Sequence, residues 1–453
     1  VLHNEVNTFT AFPDTEDEFM NMFYDENRNE IKNPMLLQSR LLGLVSFFKT
    51  QDKSLLPTVT KNEVIEVPMS NYQFLNYSLI RKAEIEQDKS KSKSKSKPKP
   101  NKRKSQQEEN IFDEKKSSYR AYSRMHCSFV FPESVPRPYP GDLDSVDEDD
   151  NVNLIDIQKD PQEIDSGDES LEPDKKLLIK QYEAAKSKAL KELNKIKDDH
   201  FTMNDSDQLM KYSPKYNEVL NNIKKVKGNI FVYTEYKTLE GIAVFKIVLE
   251  ANGYAPFILG KNDDDEYIQI LEKPEDKDKP KYCFWGGNEE ESDILRKVFN
   301  NEFEELPKSL SSQIQASGKN NLRGDIINIL LTTKTGAEGI DLHNVRQVHI
   351  IEPYWNPVRT KQVEGRAVRV GSHIKLPPKD RTVEIYKYLS VISAEDLKSD
   401  KVIQADSDGM SSDQVLYTIS SKKLEIMEHL LQLIKEGSID CNINIDETRD
   451  DTS

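Results

Sequence analysis

The chain has 453 residues, of which 36% are hydrophobic and 32% are charged, and its formal net charge is −15. This length leaves room for roughly two or three domains. The acidic balance argues against a uniformly basic nucleic-acid binder, although a protein that binds a nucleic-acid strand in a local groove needs no overall positive charge. No apolar stretch reaches the roughly 18 residues of a membrane span, and the widely spaced Cys127, Cys283 and Cys441 indicate neither a disulfide framework nor a zinc site, which favours a reducing compartment.

The N-terminal part of the chain predicts helices, a strand and a charged linker. Residues 36–48 are a strongly apolar helix candidate, which we expect to pack in a core. Residues 64–67 predict a strand and residues 71–87 a helix. The lysine- and serine-rich run 89–104 is expected to be disordered, because like charges repel and its side chains bury little apolar surface.

Three interpretations of this basic run stay open: a contact to nucleic-acid phosphate, a nuclear localisation signal and a solvated linker, which is favoured. The acidic segment 142–174 also predicts a solvated linker. Its Asp-Glu-Asp-Asp run at 147–150 lacks the apolar strand and the helical partners of a metal site. A metal site there is therefore the disfavoured alternative.

Residues 117–140 interleave aromatic side chains with arginines. Two interpretations stay open, because such residues can stack bases and grip phosphates or pack a proline-rich loop against a domain, and packing is favoured. The side chains concerned are Tyr119, Arg120, Tyr122, Arg124, Phe129, Phe131, Arg137 and Tyr139.

From residue 177 onwards the pattern becomes regular. Helices are predicted at 177–197 and 205–228, and strands then alternate with helices from 229 to 390, with the charged stretch 262–279 expected to be a loop. This alternation predicts a parallel sheet flanked by helices. A last helix is predicted at 413–436. Its expected cap, stop and packing stripe are Asp413, Gly437, and Leu424, Met427, Leu431 and Ile434.

The chemistry is expected within residues 330–371, where an apolar strand, a glycine-containing loop, a second strand and a helix follow one another. Open α/β sheets of this kind bind ligands at the carboxyl ends of their strands. A helix at 359–370 places Gln362, Arg366 and Arg369 at i, i+4 and i+7 on one face. Two guanidiniums and an amide form a multi-donor clamp for phosphate oxygens; surface arginines without a ligand are the alternative.

Two further features of this helix lead to expectations about packing. Gly365 costs about 1 kcal/mol of helix stability relative to alanine, which suggests that another surface approaches it. The residues expected to pack inward are Val363, Ala367 and Val370.

Several motifs carry a family resemblance. TTKTGAEGIDL at 332–342 resembles motif V of superfamily 2 helicases, QVEGRAVRVGS at 362–372 resembles their motif VI, and FVYTEY at 231–236 resembles motif IV. YRAYSRMHCSFVFP at 119–132 resembles an insertion of giant-virus helicases. The chain is thus similar to the C-terminal half of superfamily 2 (DEAD/Swi-Snf-like) helicases of nucleocytoplasmic large DNA viruses, related to viral nucleoside triphosphatase I and early transcription factor helicases. The resemblance implies a RecA-like α/β lobe.

The resemblance also implies residue roles. Arg366 and Arg369 would contact ATP phosphates, with Arg369 as the arginine finger, and Gln362 would position the γ-phosphate or the attacking water. The residues implied beside the nucleotide are Gly336, Gly339, Asp341, Arg366 and Arg369. The residues implied at the nucleic-acid backbone are Thr234, Tyr236, Thr332, Thr333 and Lys334.

The sequence has no G-x-x-x-x-G-K-[ST] loop and no D-E-x-H-like run after an apolar strand. We therefore expect ATP with Mg²⁺ as the cofactor, with the metal held by a first helicase lobe outside this chain, and no ATPase activity of this chain alone. Because the sequence begins at Val1, we expect it to be a piece of a longer protein. Expected partners are DNA or RNA, that first lobe and a viral RNA polymerase, in the virion or the host cytoplasm.

The predicted organisation divides the chain into a lobe 1 tail, an inter-lobe strand with a helix and insertion, an acidic linker with a helix, lobe 2, and a C-terminal helical extension. The alternative function is a non-catalytic module that docks on a polymerase or nucleic acid, and a two-lobed nucleotide-sugar transferase is a more distant one. The boundaries are 1–57, 58–140 with a disordered basic linker at 89–110, 141–207, 208–395 and 396–453.

Overall fold

The computed structural model describes most of the chain, including all of the predicted lobe 2 apart from a short loop. Gly336, Cys441, the acidic segment up to residue 172 and the basic run from residue 95 lie outside the described residues, so the predictions for them stay predictions. The described ranges are 11–25, 28–46, 53–94, 120–139, 173–203, 208–334, 339–398 and 409–439.

The centre of the molecule is a seven-stranded sheet with the order β3-β11-β10-β4-β9-β8-β5, and every pair in it is parallel. Two short antiparallel hairpins, β1–β2 and β6–β7, lie outside it. The strands are β1 (Tyr24–Asp25), β2 (Glu30–Ile31), β3 (Thr58–Pro68), β4 (Asn229–Tyr233), β5 (Ala255–Pro256), β6 (Ile258–Lys261), β7 (Tyr267–Ile270), β8 (Lys281–Trp285), β9 (Ile329–Thr332), β10 (Val345–Ile350) and β11 (Thr382–Val391).

Helices cover both faces of the sheet, as parallel sheets require. The helices are α1 (Glu16–Phe23), α2 (Pro34–Leu41), α3 (Asn71–Ser94), α4 (Ala121–Ser128), α5 (Pro173–Lys195), α6 (Lys197–His200), α7 (Gln208–Tyr212), α8 (Pro214–Ile223), α9 (Ile242–Ala251), α10 (Glu289–Phe299), α11 (Lys308–Ser317), α12 (Pro357–Ala367) and α13 (Ser412–Glu436).

The alternation of side chains along β4 divides the core into two halves. Ile230 and Val232 pack with residues of α5, α7, α8 and α9 on one face. Phe231 and Tyr233 pack with residues of α10, α11 and α12 on the other. The predicted α/β class, a RecA-like lobe with a parallel sheet flanked by helices, is confirmed.

Several predicted boundaries were wrong. In the part of the apolar run 36–48 that the structure describes, up to residue 46, the helix ends at Leu41, and Leu42 and Leu44 are exposed rather than packed in a core. The helix predicted at 205–228 is broken at Ser213, whose hydroxyl caps α8 by accepting from the Tyr216 amide. The charged stretch 262–279 contains β7, because its alternating Tyr-Ile-Gln-Ile sequence pairs with β6.

Two further observations concern the region before the predicted lobe 2. Helix α3 continues to Ser94, inside the run predicted to be disordered. β3, predicted as the strand that leads from one lobe into the next, pairs with β11 along its length at one edge of the seven-stranded sheet, and the domain boundaries stay predictions.

The arginine- and aromatic-rich segment is packed inside the molecule. Every residue of α4 is buried, and Gln73 of α3 donates from Nε2 to the carbonyls of His126 and Cys127 at 2.8 and 3.0 Å. Arg137 forms a buried ion pair with Glu240. Packing, rather than base stacking, is therefore the role that the structure supports for this segment.

The start of α13 differs from its prediction. Ser411, not Asp413, caps the helix, in a reciprocal capping box with Gln414. Asp413 is fully buried, and its Oδ2 lies 2.5 Å from Nζ of the equally buried Lys215. The predicted stripe is also displaced, because Leu431 is exposed whereas Leu416, Ile426 and Leu433 are buried.

The described part can be compared with the predictions for cysteines, membrane spans and metal sites. Cys127 and Cys283 are buried free thiols. Within the described ranges, no helix combines the length and the apolar character needed to cross a membrane, and the same ranges contain no group of three His, Cys, Asp or Glu side chains arranged to hold a metal ion.

The buried Lys215–Asp413 pair generates the first prediction. Asp413→Asn should lower the free energy of unfolding by about 3–5 kcal/mol, because it leaves the Lys215 ammonium buried without a counter-charge. Urea denaturation at neutral pH measures this. Glu428→Gln, which removes the exposed partner of Lys361, is the control and should change stability by less than about 1 kcal/mol. Equal small effects of both variants would contradict the prediction.

Candidate functional site

Helix α12 carries Gln362 and Arg366, two of the predicted phosphate-binding residues, and runs back along the sheet. It begins after β10, where the side chain of Asn356 caps it by accepting from the Val358 amide. Val363 and Ala367 are fully buried against the sheet, as predicted. At the other end the carbonyl of Arg366 accepts from the Leu342 amide at 3.2 Å.

The helix ends earlier than predicted. It stops at Ala367, so Arg369 lies in the turn beyond it and does not share its regular face. Val370, predicted to pack inward, is 48% exposed. The reason is that the chain turns to bring Ser372 against β10: the Asn344 amide donates to the Ser372 carbonyl at 3.0 Å.

The two arginines differ in their surroundings. Arg369 forms an ion pair with Asp341, and both side chains are about half exposed. Arg366 has no ion pair among the described residues, and its buried Nε lacks a hydrogen-bond partner. The structure therefore brings Arg366, Arg369 and Asp341 together, and one guanidinium remains available for a ligand.

Gln362 and Gly339 complete this site, which we call the arginine site: Gly339, Asp341, Gln362, Arg366 and Arg369. Gln362 is exposed on α12, one turn before Arg366, and Gly339 is exposed with φ +88°, a conformation that favours glycine. A Cβ at Gly365 would meet nothing within 4 Å. The surface expected near Gly365 is thus not supplied by the described part of this chain.

The arginine site lies at the amino end of β10, not at the carboxyl ends of the strands, which corrects the sequence-based expectation. The physical reason is that α12 starts at the carboxyl end of β10 and returns antiparallel to it. The 11 residues of α12 span about 16 Å at 1.5 Å per residue. This length carries Arg366 from the carboxyl end of β10 to its amino end.

The residues predicted to contact nucleic acid gather at the carboxyl edge. Thr234 follows β4, and Thr332 to Lys334 end or follow β9, the strand beside it. The Thr332 hydroxyl is buried and donates to the Trp285 carbonyl at 2.9 Å, whereas Lys334 is exposed. We call Thr234, Thr332, Thr333 and Lys334 the carboxyl-edge cluster.

Tyr236 does not present its ring to a ligand. It is buried, and the guanidinium of the buried Arg124 lies 5.5 Å from its ring centroid. Thr234 is also turned inward and accepts from the Tyr236 amide at 3.2 Å. Of the predicted nucleic-acid contacts in the described part, only Lys334 therefore offers an exposed cationic side chain.

A buried acidic network beneath the carboxyl-edge cluster was missed by sequence analysis. Glu352 accepts from the Ser128 hydroxyl at 2.8 Å and from the Glu235 amide at 3.0 Å, and burial raises the pKa of its carboxyl group. Glu235 in turn pairs with Arg359 at 2.9 Å. Glutamates two residues after the ends of β4 and β10 were the available signal, but only their burial separates them from surface residues.

His373 anchors the turn that follows α12. Its Nε2 lies 2.7 Å from the Val345 carbonyl, which can only accept, so the proton is on Nε2. Nδ1 is 2.7 Å from the Ser372 hydroxyl. Burial lowers the pKa of His373 to about 4, and the imidazole is neutral at physiological pH.

Comparison with known proteins finds similarity to helicases. The sequence profile described as "Helicase conserved C-terminal domain" matches residues 265–371. A protein of Acanthamoeba polyphaga mimivirus named a putative ATP-dependent RNA helicase is 27% identical over 95% of this chain and 50% of its own length. A protein of African swine fever virus named a termination factor NPH-I homolog is 26% identical over 94% of this chain and 53% of its own.

A third relative, a protein of Invertebrate iridescent virus 3 named a helicase, is 28% identical over 52% of this chain and 21% of its own length. The chain thus spans about half the length of the first two relatives and a smaller share of the third.

The buried His373 generates a prediction about pH. Its pKa of about 4 lies below the ordinary value of about 6.5, so between these values the unfolded chain binds more protons, and stability falls as the pH drops through this range. His373→Gln should reduce the difference in unfolding free energy between about pH 7 and about pH 5, measured by urea denaturation.

The exposed His429→Gln serves as the control and should leave that difference unchanged. Part of the pH dependence should persist in His373→Gln, because burial also lowers the pKa of His126 to about 4 and of His349 to about 3. An unaltered pH dependence in His373→Gln would show that folding does not lower the pKa of His373.

Proposed function

We propose that this chain, which carries a helicase conserved C-terminal domain and is related to helicases of nucleocytoplasmic large DNA viruses, is the second lobe of an ATP-dependent nucleic-acid motor. It would supply the arginine side of a nucleotide site that another lobe completes. The observation that carries this proposal is Arg366, whose buried Nε has no partner among the described residues, beside Gly365, where nothing approaches.

The donor set of the arginine site suits ATP phosphates. A guanidinium presents a planar fork that matches phosphate oxygens, and Gln362 adds an amide donor one turn away. Mg²⁺ neutralises phosphate charge in such sites. Since the described residues contain no acidic cluster for a metal, the magnesium ligands would come from the other lobe.

Arg369 would exchange partners when the nucleotide binds. In the isolated lobe its guanidinium pairs with Asp341, and about half of each side chain is exposed. Such exposed pairs contribute about 0–1 kcal/mol, so a polyphosphate can displace the carboxylate at small cost. An arginine that reaches the transferring phosphoryl group accelerates hydrolysis by about 10³-fold or more.

The carboxyl-edge cluster would hold the nucleic-acid backbone. Lys334 supplies the exposed charge, and the ends of β4 and β9 supply the neighbouring backbone groups. Phosphate contacts position a strand without reading its sequence, which suits a motor on DNA or RNA. The termination-factor name of one relative supports a role in viral transcription, with a viral RNA polymerase as partner.

The test uses the longer protein that contains both lobes. Arg369→Gln should lower kcat for ATP hydrolysis by about 10³-fold and leave the affinity for nucleic acid unchanged, because Arg369 is remote from the carboxyl edge. Steady-state ATPase and fluorescence-anisotropy titrations measure the two quantities. Arg323→Gln, which removes an exposed cation paired with Asp380, is the matched control. Undiminished hydrolysis in Arg369→Gln would leave only the docking-module function.

A further inference from the structure

An open groove lies between α5 and α9, on the face of the sheet opposite α12. One wall is formed by α5, from the segment that precedes the lobe, and the other by α9. Phe284 of β8 and Lys237, which follows β4, lie at its end near the sheet. Its lining includes Lys191, Lys237, Lys246, Glu250, Glu272 and Phe284.

Three lysines of this groove have no ion pair within the described ranges: Lys191, Lys237 and Lys246. The ammonium groups of Lys246 and Lys237 lie 4.9 and 5.8 Å from the ring centroid of Phe284. Burial lowers the pKa of Lys246, so its charge is held partly out of water. A cation in that position gains from an anionic ligand.

The carboxylates of the groove are mostly neutralised. Glu250 accepts from Lys197 and from the Tyr282 hydroxyl, each at 2.7 Å, and Glu183 pairs with Lys186. Glu272 remains as a lining carboxylate without an ion pair among the described residues. The available charge is therefore positive.

The groove meets the sheet at the same edge as the carboxyl-edge cluster. Phe284 and Trp285 are in register with Leu331 and Thr332 of β9, so Phe284 lies on the strand beside β9, near the end from which the chain leads to Lys334. Phe284 is partly exposed. A partly exposed aromatic ring flanked by lysines is a stacking platform for unpaired bases, since every base has a π-face.

We propose that the groove between α5 and α9 binds single-stranded nucleic acid that passes beyond the carboxyl-edge cluster. One base stacks on Phe284, and the following phosphates contact Lys237, Lys246 and Lys191. A duplex is excluded, because its bases are already stacked and paired. The inference rests on the proposed function and names the path that the strand takes across this lobe.

The test measures binding of this chain to fluorescent oligodeoxythymidylate and oligouridylate of about 5 and about 15 nucleotides. Lys237→Gln combined with Lys246→Gln should lower the affinity for the long oligonucleotides about tenfold and reduce the slope of log K against log salt by about 1.4, or about 0.7 for each lost phosphate contact. Binding of the short oligonucleotides, which the carboxyl edge can hold alone, should change less than twofold.

Lys308→Gln combined with Lys319→Gln is the matched control, since it removes the same charge from exposed positions outside the groove and should leave both affinities unchanged. Phe284→Leu keeps an apolar side chain but loses the ring, and it should weaken binding of the long oligonucleotides about tenfold with an unchanged circular dichroism spectrum. Loss in both the DNA and the RNA series assigns the groove to the phosphodiester backbone, and loss in one series adds a requirement for that sugar.

Three results would overturn the groove alone, and the first two are equal loss in the groove and control variants and equal affinity of the unmodified chain for short and long oligonucleotides. Duplex that competes as well as single strand would also overturn it. Failure of the unmodified chain to bind either length would overturn both the groove and the carboxyl-edge part of the proposed function. The three results above overturn the groove but leave the proposed function standing, so the two failures are distinguishable.

Discussion

The antiparallel return of α12 along β10 is the constraint on which the rest of the structure depends. Parallel neighbours in a sheet need a connection that runs back to the starting edge, and here the connection is a helix anchored by Val363 and Ala367. It separates two candidate sites: the carboxyl-edge cluster at one end and the arginine site at the other. His373 holds the far end by its hydrogen bond to Val345.

Cations from three different elements clamp the loop that leads into α12. Arg359 of α12 lies 3.6 Å from the ring centroid of Tyr354, and Arg124 of α4 lies 6.0 Å from it. Lys423 of α13 lies 4.4 Å from the ring of Trp355. Cation–π contacts strengthen when they are removed from water. Helices α4 and α13 therefore hold the start of α12 in place, and this fixes the position of Arg366 at the other end of α12.

Buried charge links these same elements. Lys215 of α8 pairs with Asp413 of α13, and Asp413 also accepts from the Ser390 amide of β11. Buried pairs of this kind add little net stability relative to apolar packing, but removal of one partner is costly. Here the Asp413 contacts hold α13 in one position against the sheet. The hydrogen bond between Ser128 and Glu352 does the same for α4.

Sequence patterns by themselves determined the alternating strands and helices, the inward packing of Val363 and Ala367, and the motifs that contain the arginine site and the carboxyl-edge cluster. These features are local, because the period of apolar residues follows directly from helix and strand geometry. Only the tertiary structure decided that Arg369 lies beyond α12, that Tyr236 is buried, that Ser411 and not Asp413 caps α13, and that α5 and α9 enclose a groove. Each of these depends on which distant groups meet, through long-range packing and charge pairing that local spacing does not encode.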